Sequence, residues 1–105
     1  MAVVHVKTEE EYATLAASGK VIIDYSATWC GPCKKIAPVY EELATKNPDV
    51  KFLHVDIDEL GKLEAVKKVR GVPTFVFLNN GEQVSTFSGA NSKKLEDSLN
   101  DLKKA

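Results

Sequence analysis

Both cysteines of the chain lie in one short stretch, Trp29-Cys30-Gly31-Pro32-Cys33. Two thiols separated by two residues can close on each other. The stretch follows a strand-like run, Val21 to Ala27, and precedes a pattern in which apolar residues recur at helical spacing, from Ile36 to Ala44. The sequence therefore places a pair of thiols at a strand-to-helix junction.

The strand before the cysteines has the character of the middle of a sheet. Val21 to Tyr25 is apolar on both faces except for Asp24, which is typical of a strand covered by helices on both sides. Further strands are predicted at Val3 to Val6 and Val50 to Val55. The order is βαβαβα followed by a β-hairpin and a closing helix, an α/β fold with a mixed five-stranded central sheet flanked by four helices (βαβαβαββα).

Local signals mark the ends of several elements. Thr8-x-x-Glu11 predicts a capping box at the first helix, and Leu60, Leu63 and Val66 predict a short helix ending near Gly71. Asn79-Asn80-Gly81 between two β-rich runs predicts a hairpin. Asn91 or Ser92 is expected to cap the last helix, which turns three leucines inward.

Length and composition exclude several classes of protein. The 105 residues suit one compact domain spanning 1–105. The 14 basic and 15 acidic residues leave no basic stripe for nucleic acid. No segment approaches the ~20 apolar residues of a membrane span, and the first residues do not resemble a signal peptide. We expect a cytoplasmic protein. In the cytoplasm, a cysteine pair is more often catalytic or metal-binding than structural.

A cysteine pair of this spacing has three uses. A zinc site needs about four ligands, but the chain adds only His5 and His54, outside any ligand-spaced motif, so we expect no metal. A structural disulfide closing so short a loop is worth only about 2 kcal/mol, and the cytosol would tend to reduce it. Reversible thiol-disulfide exchange is the use that the neighbouring residues favour.

The two cysteines are predicted to have different roles. Cys30 lies at the entry to the helix, where free amide groups and the helix dipole favour a thiolate. Cys33, one turn further, should be less exposed and attack second. Gly31 lets a partner backbone come close, and Pro32 suits the first helical turn. Lys34 and Lys35 either add positive potential or are simply solvated, and the sequence leaves both interpretations open.

Trp29 also allows two interpretations. It could be an ordinary core aromatic residue. Its place on a loop beside a reactive thiol favours a role in shielding that thiol and offering a flat surface to a substrate chain.

At this point the chain closely resembles the thioredoxin family over essentially its whole length. The matching positions are Asp24, Trp29 to Cys33, Pro38, Gly71-Val72-Pro73-Thr74, Asn80-Gly81 and Phe87-Ser88-Gly89-Ala90. An isolated Cys-x-x-Cys would be weak evidence, but this ordered set is specific. Ser26, where bacterial members usually carry a second tryptophan, resembles the eukaryotic cytosolic type.

The resemblance implies a substrate groove beside the cysteines. It implies a cis peptide bond before Pro73, in a loop that exposes the backbone of Val72 to an extended substrate pairing as an added strand. Ser88, Gly89 and Ala90 would form the other wall. Sequence alone shows only a proline at the start of a strand.

The resemblance also implies a role for Asp24. From the residues alone, this acid could lie wet near the strand end. In the family the equivalent acid is buried below the cysteines and takes the proton of the second one through water, since burial raises its pKa. Bacterial members often place a lysine nearby, and we align Phe52 with that lysine.

The implied activity is protein-disulfide reduction. Cys30 would attack a substrate disulfide, and Cys33, with help from Asp24, would release the reduced substrate. An NADPH-dependent flavoprotein reductase would recharge the resulting disulfide, and we expect a monomer that binds no cofactor itself. The alternatives are an oxidase or isomerase of the same fold, which Pro32 disfavours, and a non-catalytic binding module, which the intact cysteines disfavour.

Overall fold

The computed structural model describes residues 2–105. It contains β1 (Val3–His5), α1 (Glu9–Ala16), β2 (Lys20–Ser26), α2 (Gly31–Lys46), β3 (Lys51–Asp56), α3 (Glu64–Lys67), β4 (Thr74–Asn79), β5 (Glu82–Ser88) and α4 (Ser92–Lys104). This order of elements confirms the predicted one. Within residues 2–105, no helix is both long and apolar enough to cross a bilayer.

The five strands form one mixed sheet in the order β1-β3-β2-β4-β5. β3 pairs in parallel with β1 and with β2, whereas β4 is antiparallel to both β2 and β5. The predicted mixed sheet is therefore confirmed, with β2 at its centre. β2 ends where the cysteine stretch begins, so the middle of the sheet carries the site.

Helices cover both faces of the sheet, as the apolar pattern of β2 predicts. On one face, α2 and α4 pack against alternate strand residues, including the buried Ile22, Phe52 and Phe75. On the other face, α1 and the region of α3 cover a second cluster that includes Ile23 and Leu53. Neighbouring residues of β2 thus enter different cores.

α2 is held against the centre of the sheet by a buried tyrosine as well as by apolar packing. The Tyr40 hydroxyl lies 2.7 Å from the carbonyl oxygen of Leu53 and 3.1 Å from that of Ile22. Burial is the main reason why the pKa of Tyr40 lies well above its usual 10.0. A neutral hydroxyl that donates to strand backbone helps to fix the position of α2 over β2 and β3.

The predicted caps are present, with one difference in detail. Thr8 caps α1 by accepting from the Glu11 amide at 3.1 Å, but the Glu11 carboxylate accepts from Lys7, one residue earlier than in a standard capping box. Asn91, rather than Ser92, caps α4, since its side chain accepts from the Lys94 amide. Asn80 (φ 51°) and Gly81 (φ 86°) form the predicted hairpin turn.

The helix expected around Leu60, Leu63 and Val66 is shorter than predicted. Only Glu64–Lys67 is helical, so Leu60 and Leu63 lie in the turns before it. The Asp56 carboxylate accepts hydrogen bonds from the amides of Asp58 and Glu59 at 2.8 and 3.2 Å. These bonds stabilise a turn directly after β3. Gly61, which disfavours a helix interior, lies between this turn and α3.

Candidate active site

The cysteine stretch forms the first turn of α2. Cys30 is the N-cap, with extended backbone angles (φ −89°, ψ 110°), and its sulfur accepts a hydrogen bond from the Cys33 amide at 3.1 Å. Gly31 opens the helix and Pro32 follows, where a missing amide costs no intrahelical bond. A sulfur in this position satisfies a helix N-terminal amide and lies at the positive end of the dipole, as predicted.

Cys30 and Cys33 are joined as a disulfide, with their Cα atoms 5.3 Å apart. The expected difference in exposure is absent in this form, because the two residues are 4% and 3% exposed. Ala27, Ile57 and Val72 pack against the pair and cover Cys30 as well as Cys33.

A loop before β4 packs beside Cys30. The peptide bond between Val72 and Pro73 is cis, as the resemblance implies. The Val72 carbonyl oxygen lies 3.6 Å from the Cys30 sulfur. Val72 is half-buried and Pro73 is buried, so the loop presents its backbone to the cysteines while anchoring itself in the protein.

The segment after β5 lies along the same edge. The Gly89 amide donates to the Pro73 carbonyl at 2.9 Å, and the hydroxyls of Thr74 and Ser88 are 3.0 Å apart. Ala90 shares a shallow groove with Gly31 and Pro32. The structure thus brings Ser88, Gly89 and Ala90 to the loop and the cysteines, residues that are far apart in sequence.

Trp29 is a surface residue and not a core aromatic. Its side chain is 67% exposed, and its indole nitrogen donates to the Asp58 carboxylate at 3.0 Å. This bond holds the ring at the rim of the site. Asp58 was not predicted, since nothing in the sequence marks this acid among the other charged residues of its loop.

Asp24 is buried beneath the disulfide. It is 2% exposed, and its Oδ1 atom has no hydrogen-bond partner among the described residues. Burial raises its pKa from 3.8 to about 7. With Cys33 it lines a cavity of about 170 Å³. The interpretation of a solvent-exposed acid at the strand end is therefore wrong. Asp24 lies between β3 and β4, in a sheet whose faces are covered by helices.

Our alignment of Phe52 with the residue beside Asp24 is also wrong. Phe52 pairs with Ile22 in the sheet, whereas His54 pairs with Asp24 and lines the same cavity. The register of two strands depends on tertiary packing, and counting along the sequence placed the match two residues too early. His54 is thus a site residue that the sequence did not reveal.

The charged groups near the site are mostly exposed. Lys34 and Lys35 are both exposed on the first turns of α2, and Lys34 borders the cavity of Asp24. Over the described part of the chain, no group of three or more histidine, cysteine or acidic side chains is arranged to hold a metal ion. The reactive groups that the structure brings together at this site are the two sulfurs, the buried carboxyl of Asp24 and the imidazole of His54.

Comparison with known proteins gives a consistent result. The thioredoxin family model matches residues 2–101. Thioredoxin-3 of Dictyostelium discoideum is 45% identical over 97 residues, which cover 92% of this chain and 93% of that protein.

Two solved structures show the same fold. A wild-type thioredoxin h of poplar is 35% identical, covers 100% of this chain and 99% of its own, and has a TM-score of 0.89. A structure describing the thiol-resolving mechanism in yeast mitochondrial 1-Cys peroxiredoxin via glutathione/thioredoxin systems is 34% identical, covers 94% of both chains and has a TM-score of 0.86. With a Cys-x-x-Cys pair that closes as a disulfide at the start of α2, the chain belongs to the thioredoxin family and is a thiol-disulfide oxidoreductase that reduces disulfides.

Proposed function

We propose that Cys30 is the attacking cysteine and Cys33 the resolving one. The observation that carries this assignment is the hydrogen bond from the Cys33 amide to the Cys30 sulfur, at the start of a helix of 16 residues. The same amide can stabilise a negative charge on Cys30 once the disulfide is reduced. A Cys30 thiolate attacks one sulfur of a protein disulfide, which forms a mixed disulfide and releases the other sulfur as a thiolate.

Asp24 serves as the base for the second step. The cavity that it shares with Cys33 and its pKa of about 7 support this role, because a base is most useful near the working pH. Asp24 takes the proton of Cys33, directly or through water. The Cys33 thiolate then attacks the Cys30 sulfur, the Cys30–Cys33 bond forms, and the electron pair leaves on the substrate sulfur.

Substrate chains bind along the groove between the loop and the end of β5. The closeness of the Val72 backbone to Cys30 supports this placement. An extended peptide can pair with free backbone groups there as an added strand. Ser88, Gly89 and Ala90 then contact the other side of the peptide, and the exposed ring of Trp29 covers one end.

The partners follow from this chemistry. The substrates are disulfide-containing proteins, and the oxidised form is recharged by an NADPH-dependent flavoprotein reductase. The protein acts as a monomer, since large apolar side chains within residues 2–105 are exposed only at Trp29 and Val84. A reducing compartment, the cytoplasm, suits a disulfide that opens and closes in each cycle.

Reduction of insulin disulfides tests the proposed roles. With dithiothreitol as electron donor, the native chain should accelerate insulin reduction, whereas Cys30→Ser should not. A redox potential well above the glutathione poise would instead indicate an oxidase or isomerase. A native chain that binds insulin without any thiol-dependent turnover would indicate a binding module.

A further inference from the structure

A row of three side chains runs from the interior of the sheet to its edge. Asp24 on β2 pairs with His54 on β3, and His54 pairs with His5 on β1. Residues paired across neighbouring strands share one face and lie roughly 5 Å apart. Asp24 is 2% exposed, His54 is half-buried and His5 is exposed. The row therefore connects a buried carboxyl with solvent.

The two imidazole rings of the row lie close together, and one of them shares a cavity with the carboxyl. The ring centroids of His5 and His54 are 4.7 Å apart, with the rings tilted by 51°. Asp24, His54 and Cys33 all line the cavity of about 170 Å³, which is large enough for water to bridge them. The carboxyl thus shares a cavity with the cysteine on one side and with an imidazole on the other.

We propose that His54 and His5 form the path by which the proton taken from Cys33 by Asp24 leaves for solvent. This inference rests on the role proposed above for Asp24. After Cys33 has given up its proton, Asp24 is a neutral acid that can return it, so removal of that proton from Asp24 commits the Cys33 thiolate to its attack on Cys30. Asp24 passes it to the neutral imidazole of His54, from which it reaches His5 and then water. The carboxylate is restored, and the path moves protons only, while the electron pair leaves on the substrate sulfur.

The charge state of His54 suits this task. Burial, together with His5 and Lys7, lowers the pKa of His54 from 6.5, against the opposite effects of Asp56 and Glu59. A neutral imidazole near pH 7 can accept a proton. Asp56, at the end of β3, lines the same cavity as Asp24 and His54. The titratable groups that face the row from α2 are Cys33, Lys34 and Tyr40.

The first test is the rate of mixed-disulfide resolution. We compare the native chain with His54→Ala, His54→Gln and His5→Ala in single-turnover mixing with insulin, across pH 6 to 9. Both His54 variants should resolve the mixed disulfide roughly tenfold more slowly near pH 7, with the first attack by Cys30 unchanged. His5→Ala should reduce the resolution rate less. The double variant His5→Ala/His54→Ala should be no slower than His54→Ala alone, because both residues lie on one path.

Rescue separates proton transfer from a structural role. Added imidazole should restore the rate of His54→Ala toward that of the native chain, since it can enter the vacated space and carry the proton, whereas a structural defect would not respond. Unchanged resolution in both His54 variants, or a loss that imidazole does not reverse, would overturn the proposal.

A second readout does not depend on turnover. The chain has only two histidines, so both imidazoles can be followed individually by NMR titration. Asp24→Asn should shift the titration of His54, and an unshifted His54 titration would contradict the path. If the native chain does not reduce insulin, the proposed function itself fails. If the native chain reduces insulin but the histidine variants behave like the native chain, only the proton path fails.

Discussion

The backbone amide of Cys33 lies 3.1 Å from the sulfur of Cys30, so one cysteine is linked to the other by a hydrogen bond as well as by the disulfide. The donor is a main-chain group, and changing the Cys33 side chain leaves it in place. The attacking and resolving functions can therefore be separated by substitution.

Cys33→Ser should trap substrates. The variant keeps the amide that stabilises Cys30 but lacks the thiol that releases the product. Covalent adducts with insulin chains should therefore accumulate, be visible on non-reducing gels and be cleaved by dithiothreitol. Cys30→Ser is the matched control and should form no lasting adduct. Recovery of only free Cys33→Ser protein, or equal trapping by both variants, would contradict the assigned order.

Asp24→Asn should slow the release of the mixed disulfide. An amide cannot take the proton of Cys33, and general acid–base catalysis typically contributes about 10²- to 10⁴-fold. Single-turnover mixing near pH 7 measures this step separately from the first attack, which should keep its rate. Asp97→Asn, an exposed acid paired with Lys93 on α4, is the control. Unchanged kinetics in Asp24→Asn would remove its role as base.

Asp24→Asn should also make the protein more stable at neutral pH. The pKa of Asp24 is about 7 in the folded protein and 3.8 as its unperturbed value, so the unfolded state binds fewer protons between these values. The free energy of unfolding of the native chain should therefore fall as pH rises through this window. At about 1.4 kcal/mol per pKa unit, the total loss is roughly 4 kcal/mol.

Urea unfolding of the oxidised proteins measures this difference. The Asp24→Asn variant should exceed the native chain by up to roughly 4 kcal/mol above pH 7, and the two should converge near pH 4. If the free energies of unfolding of the two proteins changed with pH in parallel, the pKa of Asp24 would not be raised by folding.

Gly89→Ala should destabilise the wall of the groove. Gly89 has a φ of +101°, which side-chain-bearing residues rarely adopt, although open space surrounds the position of a Cβ atom. The expected cost is about 1 to 2 kcal/mol, measured by chemical denaturation. Gly71→Ala is the matched control, since Gly71 has open space without a positive φ. It should be neutral or slightly stabilising, and equal losses in both variants would argue against backbone strain at Gly89.

Trp29→Ala should weaken capture of protein substrates without unfolding the protein. The ring is 67% exposed, so its removal creates no core cavity, but it removes a large flat contact surface. The KM for insulin should rise roughly tenfold, equivalent to about 1.4 kcal/mol. Val84→Ala, at a residue that is 48% exposed on β5, is the control and should leave the KM unchanged. Equal KM values in both variants would assign Trp29 no role in binding.

Much of the fold could be predicted because its signals are local. The alternation of strand and helix patterns, the Thr8 and Asn91 caps and the Asn80-Gly81 turn all depend on residues within a few positions of one another, and each is present in the structure. The extent of α3 was overestimated because the spacing of Leu60, Leu63 and Val66 does not register the cost of Gly61 inside a helix.

By itself the sequence determined the thiol pair, its place at the entry to a helix, and the presence of one acid in an apolar central strand. Only the tertiary structure decided which residues surround that acid. Strand register brings His54, and not Phe52, beside Asp24, and helix packing buries the carboxyl so that its pKa reaches about 7. The physical reason is that register and burial arise from contacts between residues distant along the chain, whereas caps, turns and periodicity are properties of neighbours.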